Sequence, residues 1–266
     1  MFCPWMGFSV PGSAVPAATT SVSWPLPAAL SFQLPIGWGT CLVATNLKVA
    51  KAELTFEAGF PQPEFSLFHD AGALMHHLFK RLEPHGLRLN DLRVERGIAN
   101  VGDHQIVCFL FNYWMTVHIR IERIEVICSE LPRDYVEKFK AAILDVLQAI
   151  KDYRPEQSFR AFAMALGLHA KLEGQPVREY LARFVTKVPQ NLGPSTGGGA
   201  IFYFGPEGDR LLASIIADVS AVVQDAIYLR IYGLWDAKKV APASLSGVAD
   251  VLVRQALEGL DLSMSD

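Results

Sequence analysis

The chain has 266 residues, 51% of them hydrophobic and 19% charged, with a formal net charge of -3. That length is enough to bury a core in one large domain or in two of about 100–130 residues, and 11% aromatics with a mean hydropathy of +0.23 exclude a wholly disordered polymer. A pI near 6.2 argues against nucleic acid or an anionic membrane as an electrostatic partner.

The charges begin late. Lys48 is the first charged side chain, and residues 1–47 carry Trp5, Trp24 and Trp38 with Pro4, Pro11, Pro16, Pro25, Pro27 and Pro35. The prolines interrupt every apolar run before it reaches the ~18–20 residues of a membrane span. No basic region precedes an unbroken apolar stretch, as a secretory signal requires, and Gly37-Trp-Gly-Thr before Cys41 is a poor lipobox. Three readings stay open: translation starting near Val43 or Leu47, a disordered or loosely docked Pro-rich arm, and a cryptic export signal. Residues 1–47 are therefore expected outside the folded unit, which leaves halves at 48–152 and 153–266.

Residues 50–58 alternate, with Leu54, Phe56 and Ala58 on one face and Glu53, Thr55 and Glu57 on the other, which predicts a half-buried strand. The apolar positions of 66–82 recur at helical spacing until Pro84-His85-Gly86. Strands follow at about 87–96, 104–113, 115–121 and 124–129, with a reversal at Glu122-Arg123. A helix at 133–151 buries Val136, Phe139, Ile143, Val146, Leu147 and Ile150. The second half runs in the same order. A strand at 158–172 turns Phe162, Met164, Leu166 and Leu168 to one side. A short helix behind Pro176 buries Val177, Tyr180, Leu181, Phe184 and Val185. Strands come at 200–204, 210–219 and 225–235, and a helix at about 245–259 has Ser244 as its N-cap.

Several landmarks recur at a spacing of 110: Phe56 with Leu166, Leu67 with Val177, and Val117–Ile121 with Ile227–Ile231. The expected fold is α+β, a tandem duplication of a β-α-β-β-β-α unit, with an antiparallel sheet and helices packed on one face. This order of elements resembles a sporadically distributed family of bacterial proteins of about 260 residues without an assigned activity. The likeness runs over 48–262 and rests on Ala52-Glu-Leu-Thr-Phe-Glu, Phe139-Lys-Ala-Ala-Ile-Leu-Asp-Val-Leu-Gln, Gly167-Leu-His-Ala-Lys and Val177-Arg-Glu-Tyr-Leu. The Ala-rich strand 158–168 departs from it by lacking that family's Arg-Tyr-x-Asn-style pattern. The resemblance implies no activity and no site residues.

The chemistry is sparse. Cys3, Cys41, Cys108 and Cys128 are too dispersed for a zinc site or a disulfide framework, and the last two sit in apolar strands as small buried hydrophobes. That usage points to a reducing cytoplasm. His69, His76, His77, Lys80 and Arg81 read as one solvated helix face. Gly193-Pro-Ser-Thr-Gly-Gly-Gly199 follows a helix and precedes a strand, the wrong context for a phosphate loop, and lacks the lysine. No nucleophile motif is present. No catalytic residue, metal or cofactor is expected. If Ile119, Ile121, Leu229 and Ile231 face the helices, then Thr116, His118 and Arg120, with Tyr228, Arg230 and Tyr232, line the opposite sheet face. Glu57 and Arg160 are candidates to join them. These six are the candidate ligand or partner face. The plain alternative is a solvated polar face whose arginines pair with Glu122 and Glu57. The leading expectation is a non-enzymatic cytoplasmic binding or interaction protein, acting on a protein partner, by self-association, or on a small anionic or planar ligand. The other is a small-molecule-binding protein or enzyme with a pocket between sheet and helices, covered by the 190–199 loop.

Overall fold

The computed structural model describes residues 44–95, 103–184 and 198–264. The chain enters on a long strand, β1 (Thr45–Gly59), followed by helix α1 (Ala71–Leu82). Strands β2 (Leu92–Glu95), β3 (Gln105–Leu110), β4 (Met115–Arg120) and β5 (Arg123–Cys128) lead to helix α2 (Val136–Tyr153). The second half brings β6 (Ala161–Leu172), α3 (Val177–Ala182), β7 (Ala200–Phe204), β8 (Arg210–Val219), β9 (Ile227–Asp236), α4 (Leu245–Gly259) and β10 (Leu262–Met264). All ten strands form one sheet in the order β2-β3-β4-β5-β1-β6-β9-β8-β7, with β10 beside β1. Every ladder is antiparallel except β1–β10.

The fold is α+β, with the helices packed against one side of the sheet. Phe56 and Ala58 of β1, Phe162 and Leu168 of β6, and Leu229 and Ile231 of β9 share one buried cluster with Leu74 and Leu78 of α1, Phe139 and Val146 of α2, and Leu252 of α4. Burying one such side chain contributes about 1.5–3 kcal/mol. Arg81–Asp152 and His85–Asp145, both at 2.7 Å, pin α1 and the turn after it to α2 at the rim. Trp235 folds back over Gly233, where a Cβ would lie 2.3 Å from the indole and 2.7 Å from Leu252. Only glycine allows that packing.

The two halves share this sheet and core and meet at the β1–β6 ladder, where Thr55 faces Ala165. Counting outward from that ladder, β5 and β9 are first neighbours, and β4 and β8 are second. The 110-residue match of 117–121 with 227–231 therefore joins strands at different places, β4 and β9. Other departures are local. β1 begins at Thr45 and buries Leu47 completely, because β10 returns alongside it as a strand too short to show in the pattern. The first helix is split: a 3-10 turn at Phe65–Phe68 precedes α1, whose N-cap Asp70 accepts from the Ala73 amide at 3.0 Å. Ser244 makes no side-chain cap, since it sits in the 3-10 turn that leads into α4. Val185, most of residues 1–47 and residues 190–197 lie outside the described residues.

Candidate functional site

Strand alternation sets all six candidate side chains on the face opposite the helices, because Val117, Ile119, Leu229 and Ile231 take the buried side. They form two separate groups there. One cross-sheet row reads Thr116, Ile127, Thr55, Ala165, Tyr232. The β4 and β9 groups are thus four strand spacings apart, about 19 Å at ~4.8 Å each. Glu57 lies between them on β1.

The β4 group is tied to its neighbours. Gln105 donates its amide to Glu95 at 2.6 Å, which leaves Oε1 as an acceptor. Arg120 Nε donates to that oxygen at 3.2 Å, and His118 Nδ1 lies 3.1 Å from it, so Nδ1 carries the proton. Arg120 also pairs with Glu125 at 3.6 Å, and Glu57 pairs with Arg123 at 3.8 Å. The arginines are paired as a polar face requires, but Arg120 with Glu125 and Arg123 with Glu57, because cross-strand register and not sequence proximity chooses the partner. Burial, and then the charge of Arg120, hold the His118 imidazole below its ordinary pKa.

The β9 group is built differently. Ala163, Ala165 and Gly167 on β6 lie opposite Leu234, Tyr232 and Arg230 and make a low floor. Tyr228 leans over that floor. A Cβ on Gly167 would touch its ring at 3.4 Å, and its ring stacks on His169 at 4.8 Å. Arg230, half-buried between the two tyrosines, places its guanidinium 5.7 Å from the Tyr232 ring centre. Among the described residues its guanidinium has no hydrogen bond and no ion pair. Burial raises the phenol pKa of both Tyr228 and Tyr232, so both stay neutral donors at ordinary pH. Three strands beyond the floor, at the edge of the sheet, Ile201 and Tyr203 on β7 are 55% and 74% exposed on the same face.

A second constellation joins residues that are far apart in sequence. His169, 4% exposed, lies 2.8 Å through Nδ1 from Ser220 Oγ and 3.6 Å through Nε2 from Glu53, which also holds Lys51 at 2.7 Å. The order Ser-His-Glu resembles a nucleophile relay, but the serine oxygen already accepts from the amides of Val222 and Val223 at 3.2 and 2.9 Å. Its lone pairs are occupied and its proton points at His169 Nδ1. Ser220 therefore caps the β8–β9 turn and fixes the imidazole tautomer that faces Glu53. The Ala-Ala-Gly-His alternation along β6 is the sequence signal for this floor, since small residues at every second position leave room above a sheet.

Cys108 and Cys128 are buried, and burial pushes their thiols up to about 12 and about 11, which makes them unreactive. His69 and His76 are exposed, and His77 packs against Tyr153. Among the described residues no group of His, Cys, Asp and Glu has the arrangement of a metal site, and no helix is long and apolar enough to cross a membrane. An open cleft of about 650 Å³ lies elsewhere, between the turn after α1 (His85, Arg88), the β3–β4 turn (Phe111, Trp114) and the start of α2 (Tyr135, Lys138). Phe111, Asn112 and Tyr113 take left-handed backbone at φ 52°, 55° and 71°, a strained turn for three residues with side chains. No protein-family model matches the chain, and no curated protein matches it.

Proposed function

We propose that this chain is a non-enzymatic binding protein that works through its open sheet face, with Arg230 as the anchor for an anionic group on a planar body. The observation that carries the reading is a half-buried arginine without a counter-ion among the described residues, set between two tyrosines above a floor of alanine and glycine. A half-buried guanidinium keeps part of its hydration and has N–H donors to offer an incoming anion. A carboxylate or phosphate offered to it gains a bidentate, charge-assisted contact. The tyrosines supply flat apolar walls and neutral O–H donors, the usual makeup of a site for a small planar anion.

Amide shifts in a titration of the full chain with benzoate, and separately with phenylphosphate, test this. Shifts centred on β6 and β9 that vanish in Arg230→Ala are the expected result. Shifts centred on Trp114 and Lys138 would move binding to the cleft and overturn the proposal, as would the absence of any shift.

A further inference from the structure

The two edges of the sheet are finished differently. β2, Leu92-Arg-Val-Glu95, is four residues long and exposes Arg93 and Glu95. A short, charged strand is one of the devices that keep an edge from pairing with another chain. At the other edge, β7 reads Ala200-Ile-Phe-Tyr-Phe204, without a charge or a proline. Ile201, Tyr203 and Phe204 are 55%, 74% and 42% exposed, and β8 is the only strand among the described residues that pairs with β7. Such an edge, unpaired among the described residues, presents N–H and C=O groups together with apolar side chains, which is the template for strand addition.

We propose that β7 pairs with the β7 of a second copy of this chain, antiparallel across a two-fold axis, so that the two sheets become one. The occupant follows from the strand's complementarity to itself. With the axis at Phe202, Ile201 lies opposite the partner's Tyr203 on the open face, and the reciprocal pair repeats it. On the helix side Ala200 lies opposite the partner's Phe204, again twice. Aromatic against β-branched is a favourable cross-strand pair, Ala200 leaves room for the partner's Phe204, and no like charges meet. A two-fold operator places the same patch on both subunits and closes the assembly at two chains. This surface is separate from the Arg230 group, and either proposal stands without the other.

The test is sedimentation velocity on the full chain across micromolar concentrations, with hydrogen exchange of the β7 amides at both ends of the range. The expected result is a dimer whose β7 amides gain protection as concentration rises. Tyr203→Lys, at the most exposed position of the strand, is expected to raise the dimer dissociation constant at least about tenfold, equivalent to ~1.4 kcal/mol of association free energy. Ile201→Lys is the second variant should the first fail to fold, and Val94→Lys on the opposite edge is expected to leave the dimer intact. A wild-type chain that stays monomeric overturns the proposal. So does a dimer that both β7 variants leave unchanged, or full protection of β7 already in the monomer.

Discussion

The β4 and β9 groups carry an arginine each on the same face of one sheet, four strand spacings apart across it, and their surroundings differ. Around Arg120 every neighbour has a use: Gln105 bridges it to His118 and Glu95, and Glu125 takes its charge. Around Arg230 the neighbours are two phenols, with Gly167 and Ile216 opposite it on the flanking strands, and its charge has no counter-ion among the described residues. A polar sheet face is thus not one surface. At β4 its groups satisfy each other, and the proposed anion site lies where a half-buried cation has no such partner among the described residues.

Three substitutions or titrations break or sharpen that contrast. The largest effect belongs to Gly167→Val. Its Cβ starts 3.4 Å from Tyr228, so the added methyls push that ring off His169, and overpacking costs about 1–3 kcal/mol. Urea denaturation is expected to show that loss, together with loss of benzoate shifts at β9. Next, Arg120→Ala leaves Glu125, whose side chain is 15% exposed, without its cation. The same denaturation experiment is expected to lose about 1–2 kcal/mol, whereas Arg230→Ala changes stability by no more than about 0.5 kcal/mol. Equal losses for the two arginines would erase the distinction.

The smallest effect is a pH dependence of the β4 group. His118 has its pKa lowered by burial and by Arg120, so the folded state prefers the neutral ring. Its contribution to stability is complete above the unfolded value of about 6.5 and is lost as pH falls toward the folded pKa, because the unfolded chain then binds the extra proton. NMR titration is expected to find His118 below its ordinary value and to find it higher in Arg120→Ala. An unchanged value in that variant would mean that Arg120 does not set the charge of this group.

The faces of the strands are legible in the sequence, because period-2 alternation fixes which side chains share a side. Phe56 with Ala58 and Leu229 with Ile231 fall to the core on pattern alone. Which strand lies beside which is not legible. The 110-residue spacing puts Arg120 and Arg230 at matching positions, and the sheet order sets them on strands of different rank, since spacing along a chain carries no information about pairing across a sheet. The β6 floor is visible only as an Ala-rich strand. His169, Ser220 and Glu53 meet from two strands and the β8–β9 turn, where no local motif announces them.

In the proposed site Arg230, and not Arg120, holds the anion. Calorimetric titration of phenylphosphate into wild type, Arg230→Ala and Arg120→Ala tests it most directly. A charge-assisted contact contributes about 1.5–3 kcal/mol, so Arg230→Ala is expected to weaken binding by about tenfold or more while Arg120→Ala stays within about twofold. Equal weakening in both variants, or a loss confined to Arg120→Ala, would contradict the account.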